Sequence, residues 1–315
     1  MFWRLGWLAA LSIPALGILS LVAQSGVSQR AAWNQPVPPF QIIGNIYYVG
    51  AAGVSSFLIT SPQGHVLLDG GFAETAPQIE KNITALGFQV KDVKFLLNSH
   101  AHYDHCGGLA ELKRVSKAQM VASKADAPTL NTGHQLSYGK GQSEAQFPAV
   151  HVDRVIAEGE TVSLGGITIT AHLTPGHTKG CTTWTMPVSE HGKTLQVVFY
   201  CSTTVAGNQL IGNPKYPGIV ADYEHSFAFL RNLPCDVFLG PHPDFFHLAE
   251  KARVLKGGDR NAFVDATELK AFVAASEQDF KAELTRQSGN WGQGERHSRM
   301  ISNRIRSCGN RSSFQ

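Results

Sequence analysis

The segment Asn98-Ser-His100-Ala-His102-Tyr-Asp104-His105-Cys106-Gly107-Gly108 places four metal-ligating side chains within six residues. Imidazole and carboxylate together suit zinc and related first-row divalent ions. In an extended chain alternate side chains share a side, so His100 and His102 can meet one ion. Asp104 and His105 are adjacent and face differently, which offers donors to a second ion. Four donors cannot close two sites, because a catalytic zinc site takes three protein ligands and keeps its fourth position open. The candidates to complete them are His177, in Thr174-Pro-Gly-His177-Thr-Lys-Gly180, and His242, in Leu239-Gly-Pro-His242-Pro243. The chain has 13 His, and His65, His134, His151, His172, His191, His225, His247 and His297 are read as ordinary surface or core residues.

Donors of this kind need rigid edges to hold them, and each group follows a strand-like run. Val93–Asn98 is a short apolar run that reads as a buried strand before the first cluster. Ile167–Leu173 precedes His177, and Cys235–Leu239 precedes His242. Strand-exit loops are where α/β proteins usually place chemistry. Further strands are predicted over Ile42–Val49, Ser55–Ser61, Val66–Asp69 and Leu195–Tyr200, and a set of strands over Val155–Thr174 with a Gly165-Gly166 turn. Helices are predicted over Ala76–Leu86, where Ile79, Ile83 and Leu86 recur at helical spacing, and over Gly108–Ser116, Asp222–Leu233 and Ala262–Lys281. Strands followed by helices, given twice, imply an α/β chain built as an αββα sandwich of two mixed sheets flanked by helices.

The 315 residues are 43% hydrophobic and 16% charged, which excludes global disorder and a long coiled coil. Net charge is +3, too small an excess to indicate nucleic-acid binding. Its location is informative. Residues 288–315 hold five Arg and one Glu, and Arg4 adds one charge, so the remaining body carries −2. The start has the pattern of a secretory signal: Arg4, an uncharged apolar run Leu5–Ala23, then small residues suited to cleavage near 23–28. Pro14 and Gly17 interrupt that run, which disfavours a retained anchor of the ~20 residues a bilayer needs. Residues 1–28 are therefore read as a signal peptide, 29–287 as one catalytic domain, and 288–315 as a basic, disordered tail.

At these residues the chain resembles the metallo-β-lactamase superfamily, and within it subclass B3. The motifs that carry the likeness are Asp69 after a strand, His100-x-His102-x-Asp104-His105, His177 and His242. They are joined by Leu67-Leu-Asp69-Gly-Gly71, Pro175-Gly-His177-Thr-x-Gly180-Cys-Thr-x-Trp184, Gly212-Asn-Pro-Lys-Tyr216-Pro and Leu233-Pro-Cys-Asp-Val237. The likeness spans about residues 33–287. It implies two Zn2+ ions, the first on His100, His102 and His177 and the second on Asp104, His105 and His242. It implies a metal-bound hydroxide that opens the amide of penicillins, cephalosporins and carbapenems, conferring antibiotic resistance, with Asp104 as the catalytic residue that orients the attack. Ser202 and Thr204, in Tyr200-Cys-Ser-Thr-Thr204, would bind the substrate carboxylate, against the plainer reading of strand-end hydroxyls. The Gly133–Pro148 segment would form a wall over the groove, with Tyr138 and Phe147 either touching substrate or simply packing.

The partner implied is a small β-lactam met in the periplasm by a monomer, with no nucleic acid and no stable membrane association once the signal is removed. Similar enzymes sometimes bridge the positions of Cys181 and Cys201, which export would permit. A zinc thiolate at Cys201 is the alternative, and Cys106 is expected to be unpaired and buried. Cys235 could reach Cys308 only if the tail folds back. The rival reading within the same fold is an exported thioesterase or lactonase. Those usually carry a bridging Asp near the Tyr200–Ser202 strand end, where this chain has Cys201 and Ser202. A nuclease of this fold would need an inserted domain that the chain lacks. A zinc-binding adhesion protein using the basic tail would not need so complete a set of open-site ligands.

Overall fold

Side chains alternate across a strand, and the run Val66-Leu67-Leu68 shows the layering that results. Val66 and Leu68 enter a core shared with Ile169, Trp184, Met186 and Phe199. Leu67 enters a separate core with Ile79, Ile83, Leu109 and Leu112. The computed structural model describes residues 28–139 and 144–309, with side chains through Gly289. The first half runs α1 (Gln29–Trp33), β1 (Phe40–Ile43), β2 (Ile46–Tyr48), β3 (Phe57–Ser61), β4 (Gly64–Leu68), α2 (Ala76–Ala85), β5 (Val93–Leu97), α3 (Tyr103–Cys106), α4 (Leu109–Ser116), β6 (Gln119–Ser123) and α5 (Ala127–Thr132). The second half runs β7 (His134–Gln135), β8 (Ala145–Gln146), β9 (Arg154–Ile156), β10 (Thr161–Leu164), β11 (Ile167–Leu173), β12 (Thr182–Glu190), β13 (Lys193–Phe199), α6 (Ile219–Leu230), β14 (Val237–Leu239), α7 (Leu248–Lys256) and α8 (Glu268–Gly309).

One sheet has the order β1-β2-β3-β4-β5-β6-β9, antiparallel from β1 to β4 and parallel from β4 onward. The other has the order β10-β11-β12-β13-β14, antiparallel except for the parallel pair β13 and β14. Both sheets are mixed. The first is covered by α2 and α4, and α6 and α8 pack on the second, where Phe227 and Phe280 lie 5.5 Å apart. This is the αββα sandwich expected. The strands β5, β11 and β14 end immediately before the loops of His100, His177 and His242.

Several elements depart from the sequence reading. The single strand expected over Ile42–Val49 is a hairpin, with Ile43 opposite Ile46 and Gly44-Asn45 as its turn. Gly44 has φ +49°, and a Cβ there would meet Val188 Cγ2 at 2.3 Å, so only glycine fits the bend. The strand set expected over Val155–Thr174 divides between the sheets, with β9 in the first and β10 and β11 in the second. β6, α5 and α7 were not anticipated. α8 begins later than Ala262 and runs past Lys281 to Gly309, so helical backbone continues into the Arg-rich segment read as a disordered tail. The signal segment, apart from Ser28, lies outside the described residues, as does the side chain of Cys308. Among the described residues no helix is long and apolar enough to cross a membrane.

Candidate metal centre

Three imidazoles from two strand exits converge. His177 Nε2 lies 3.2 Å from His100 Nε2 and 3.2 Å from His102 Nδ1. Nitrogens at neighbouring corners of a tetrahedron with zinc–nitrogen bonds of ~2.0 Å stand about 3.3 Å apart. Beside them Asp104 Oδ2 is 3.3 Å from His105 Nε2 and 3.8 Å from His242 Nε2. Within each triad the ligating atoms lie within 4.8 Å of one another. The six residues that the sequence nominated therefore sort into the two expected groups.

The rings are held from behind. His177 Nδ1 donates to the Thr204 carbonyl at 2.8 Å, and His242 Nδ1 donates to the Gly53 carbonyl at 2.8 Å. Each bond turns the ring's other nitrogen, as a lone pair, toward the centre, as the outer partners of metal-binding histidines do. His100 Nδ1 is 3.1 Å from Ser99 Oγ. Asp69, whose φ of +62° is uncommon for a residue with a side chain, receives the Ser99 N–H on Oδ1 at 2.7 Å. Its Oδ2 lies 3.9 Å from His105 Nδ1.

Burial and neighbouring charge set the protonation of these side chains. Burial, followed by the neighbouring imidazoles, holds His100 and His102 well below the usual imidazole range. Burial above all lowers His177 and His242 to about 4. These four rings are neutral at pH 7, the form a metal requires. Burial alone would raise Asp104 and lower His105. Their mutual attraction prevails, so Asp104 is held below its ordinary range and His105 above its own. Both His105 ring nitrogens are buried without a hydrogen-bond partner. A buried polar atom left unpaired is costly, and a divalent ion between His105, Asp104 and His242 would take up Nε2, while Nδ1 faces Asp69. The donor set fits metal ions.

All six residues line a cavity of about 650 Å³. Ser202 and Thr204 line it too, with their hydroxyl oxygens 3.0 Å apart. Thr204 also faces His177 Nδ1 at 3.2 Å, so its hydroxyl is engaged with the ring that its carbonyl orients. Tyr138 is buried against Tyr216 at 5.0 Å and borders a neighbouring cavity of about 300 Å³ that shares His102. Phe147 packs into the core beneath the first sheet and lines neither cavity. Residues 140–143 of the expected wall lie outside the described residues.

Sequence reasoning missed the mouth of the cavity. Gln29 and Trp33 of α1 line it, and the Trp33 ring lies 4.8 Å from the His242 ring. Arg30 pins α1 through paired bonds of 2.6 and 2.7 Å to Glu74. Cys181 and Cys201 form a disulfide with Cα atoms 5.8 Å apart. This removes Cys201 from consideration as a thiolate ligand, although both sulfurs lie near His100. Cys106 is a buried free thiol donating to the His102 carbonyl. Cys235 is also free and buried.

The fold is shared with known proteins. The model of the metallo-beta-lactamase superfamily matches residues 49–242. The structure of BJP-1, a subclass B3 metallo-beta-lactamase of Bradyrhizobium japonicum, is 43% identical, with 82% of this chain and 97% of that one covered and a TM-score of 0.77. Native FEZ-1 metallo-beta-lactamase from Legionella gormanii is 42% identical, with 81% and 98% covered and a TM-score of 0.78. Among curated relatives, the N-acyl homoserine lactonase AttM of Agrobacterium fabrum is 29% identical over 153 residues, which are 40% of this chain and 57% of the lactonase. The chain spans between 27% and 57% of the lengths of the first curated relatives it matches.

Proposed function

The chain belongs to the metallo-β-lactamase superfamily, and from that premise we propose that this hydrolase is an exported zinc enzyme opening the amide of penicillins, cephalosporins and carbapenems, so conferring antibiotic resistance. The observation that carries the reading is the pair of triads in one cavity, His100-His102-His177 beside Asp104-His105-His242. Each triad would hold one Zn2+. Zinc so held supplies Lewis acidity and brings the pKa of water toward neutrality. The likeness to subclass B3 structures over more than four fifths of the chain supports a β-lactam as the substrate.

The chain's own groups then have defined tasks. Thr204 and Gly53 fix the tautomers of His177 and His242 through their carbonyls. Asp104 turns Oδ2 toward His105 and His242, which leaves Oδ1 to accept a hydrogen bond from the attacking water and aim it at the amide carbon. Ser202 Oγ, at the cavity wall beside Thr204, donates to the substrate carboxylate, the kind of placed polar group that orients a ligand. Trp33 and Phe245 flank His242 at ring distances of 4.8 and 5.2 Å and exclude water from that side. Periplasmic location is supported by the signal-like start and by the disulfide.

The AttM likeness favours a lactonase as the second reading. Against it, the exit of β13 offers Cys201, tied in a disulfide, and Ser202, with no carboxylate between them to bridge two ions. One experiment separates the two. Hydrolysis of a carbapenem, a chromogenic cephalosporin and an N-acyl homoserine lactone is followed with zinc and with a chelator. Chelator-sensitive turnover of both β-lactams is expected. Lactone turnover alone would replace the reading with the second, and chelator-insensitive turnover would remove the metal from it.

A further inference from the structure

We propose that Asp126 is a positioning residue for the metal centre, whose carboxylate fixes the His100-Ala101-His102 segment from behind and ties it to the loop carrying His177. The proposal rests on reading His100, His102 and His177 as ligands of one ion. Asp126 follows β6, outside every motif of the family likeness, and is 3% exposed. Its Oδ2 accepts from Asn98 Nδ2 at 2.8 Å, and the carboxylate also accepts the backbone N–H of Ala101. Ala101 lies between the two imidazoles. On the other flank of His100, the Ser99 N–H ends on Asp69 Oδ1 at 2.7 Å. The N–H groups of Ser99 and Ala101, the residues on either side of His100, thus end on buried carboxylates, Asp69 for one and Asp126 for the other.

The same carboxylate reaches the second loop. A Cβ on Gly180 would lie 2.0 Å from Asp126 Oδ1, so the glycine backbone is pressed directly against it. Ser123 completes the joint, donating to the Gly180 carbonyl at 2.9 Å while accepting from Asp126 N at 3.2 Å. The neighbours of Asp126 are an amide, a peptide N–H and a second carboxylate, Asp69, rather than a cation. A carboxylate buried without a counter-charge is costly. The return is geometric: one side chain sets the spacing of two ligand loops that come from different sheets. Outer partners of this kind typically account for 10–100-fold in metal affinity.

Zinc binding by the full chain, competed against a chromophoric chelator and resolved into its two steps, tests this without relying on turnover. Asp126→Ala should weaken one step by about 10–100-fold and spare the other. Asp126→Asn should restore most of the loss, because its amide oxygen still accepts from Ala101 and a flipped Asn98 amide can accept its N–H. Gly180→Ala should weaken the same step by displacing the carboxylate without altering it. Circular dichroism and the metal-free melting temperature report folding. Asp126→Ala at wild-type affinity in both steps overturns the proposal. So does equal weakening of both steps by Asp126→Ala and Asp126→Asn alike, accompanied by a lower metal-free melting temperature. If Asp126→Ala does not fold, Gly180→Ala decides, and wild-type affinity there overturns the proposal. A wild-type chain that takes up no zinc overturns the metal reading and this proposal with it. Wild-type uptake with unchanged variants overturns this proposal alone.

Discussion

Removing the Cys181–Cys201 bridge should cost stability while leaving the native site in place. The two cysteines are separated by 20 residues. Closing a loop of that length removes unfolded-chain entropy equivalent to about 3 kcal/mol at 25 °C in the chain-entropy account. The native side of the balance changes little. β12 and β13 are held by their ladder from Trp184 opposite Phe199 to Glu190 opposite Lys193. Thr182 N still donates to the Ser99 carbonyl at 2.8 Å, and Cys201 N to Thr183 Oγ1 at 3.2 Å. In the double variant Cys181→Ser/Cys201→Ser, the hydroxyl at 201 can donate to the Ser99 carbonyl that the disulfide sulfur faces at 3.1 Å without a hydrogen to give. The loss should therefore appear as a lower urea midpoint and a melting temperature lower by roughly 6 °C for a domain of this size. The urea dependence should also steepen, because the unbridged chain exposes more surface when unfolded. Zinc content and β-lactam turnover at 25 °C should stay near wild type. Urea curves for wild type, reduced wild type and the double variant form the assay. A variant within about 0.5 kcal/mol of wild type, with an unchanged slope, refutes the entropic reasoning. Loss of zinc in a stably folded variant refutes the claim that the hairpin holds the site without the bridge.

Asp104→Asn should lower kcat by about 10²–10⁴-fold, the range for losing a group that manages a proton in the transition state. Its circular dichroism should match wild type, and a kcat loss under tenfold would remove Asp104 from that role. Ser202→Ala should raise KM for a carbapenem roughly 10–100-fold with kcat nearly kept, as expected for one lost hydrogen bond to a charged group of about 1.5–3 kcal/mol; an unchanged KM would return Ser202 to a strand-end hydroxyl. Burial pushes the Asp126 carboxyl up to about 7, partly opposed by Asn98 and Ala101. The folded state therefore holds that proton more tightly than the unfolded chain, and the resulting stability is full below the usual carboxyl range and lost as pH rises through about 7. In metal-stripped protein, the advantage of wild type over Asp126→Asn should shrink from pH 4 to pH 8 in urea titrations, and an advantage that grows with pH would contradict the assignment.

What was legible in the sequence follows from how local each feature is. His100, His102, Asp104 and His105 occupy one loop, so their spacing alone reports a common site. His177 and His242 are distant in sequence but each leaves a strand through a Gly-containing turn, and the β period before them is readable. The Gly44-Asn45 turn was readable in principle, since such dipeptides mark turns, but apolar residues on both sides disguised it as one strand. α1 carried no period. Gln29–Trp33 is placed at the cavity mouth by Arg30 reaching Glu74, 44 residues away, and by Trp33 lying over Gly53, contacts that no window along the chain contains. Asp126 looks like any other aspartate until the fold sets Ala101 and Gly180 against it.

The partners that orient the imidazoles lie beyond motif reading for a more general reason. His177 and His242 are turned toward the centre by the carbonyls of Thr204 and Gly53. Every residue has a carbonyl, so such an acceptor leaves no mark in residue type. Position 204 should then tolerate loss of its hydroxyl at the level of ring orientation, because the oxygen at 2.8 Å from His177 Nδ1 belongs to the backbone. Gly53 should not tolerate a side chain, because a Cβ there would lie 2.3 Å from the Trp33 ring and move the carbonyl that holds His242. Two residues with the same task toward the ligands therefore differ in what sequence change they can absorb, and the difference is set by what packs against each of them.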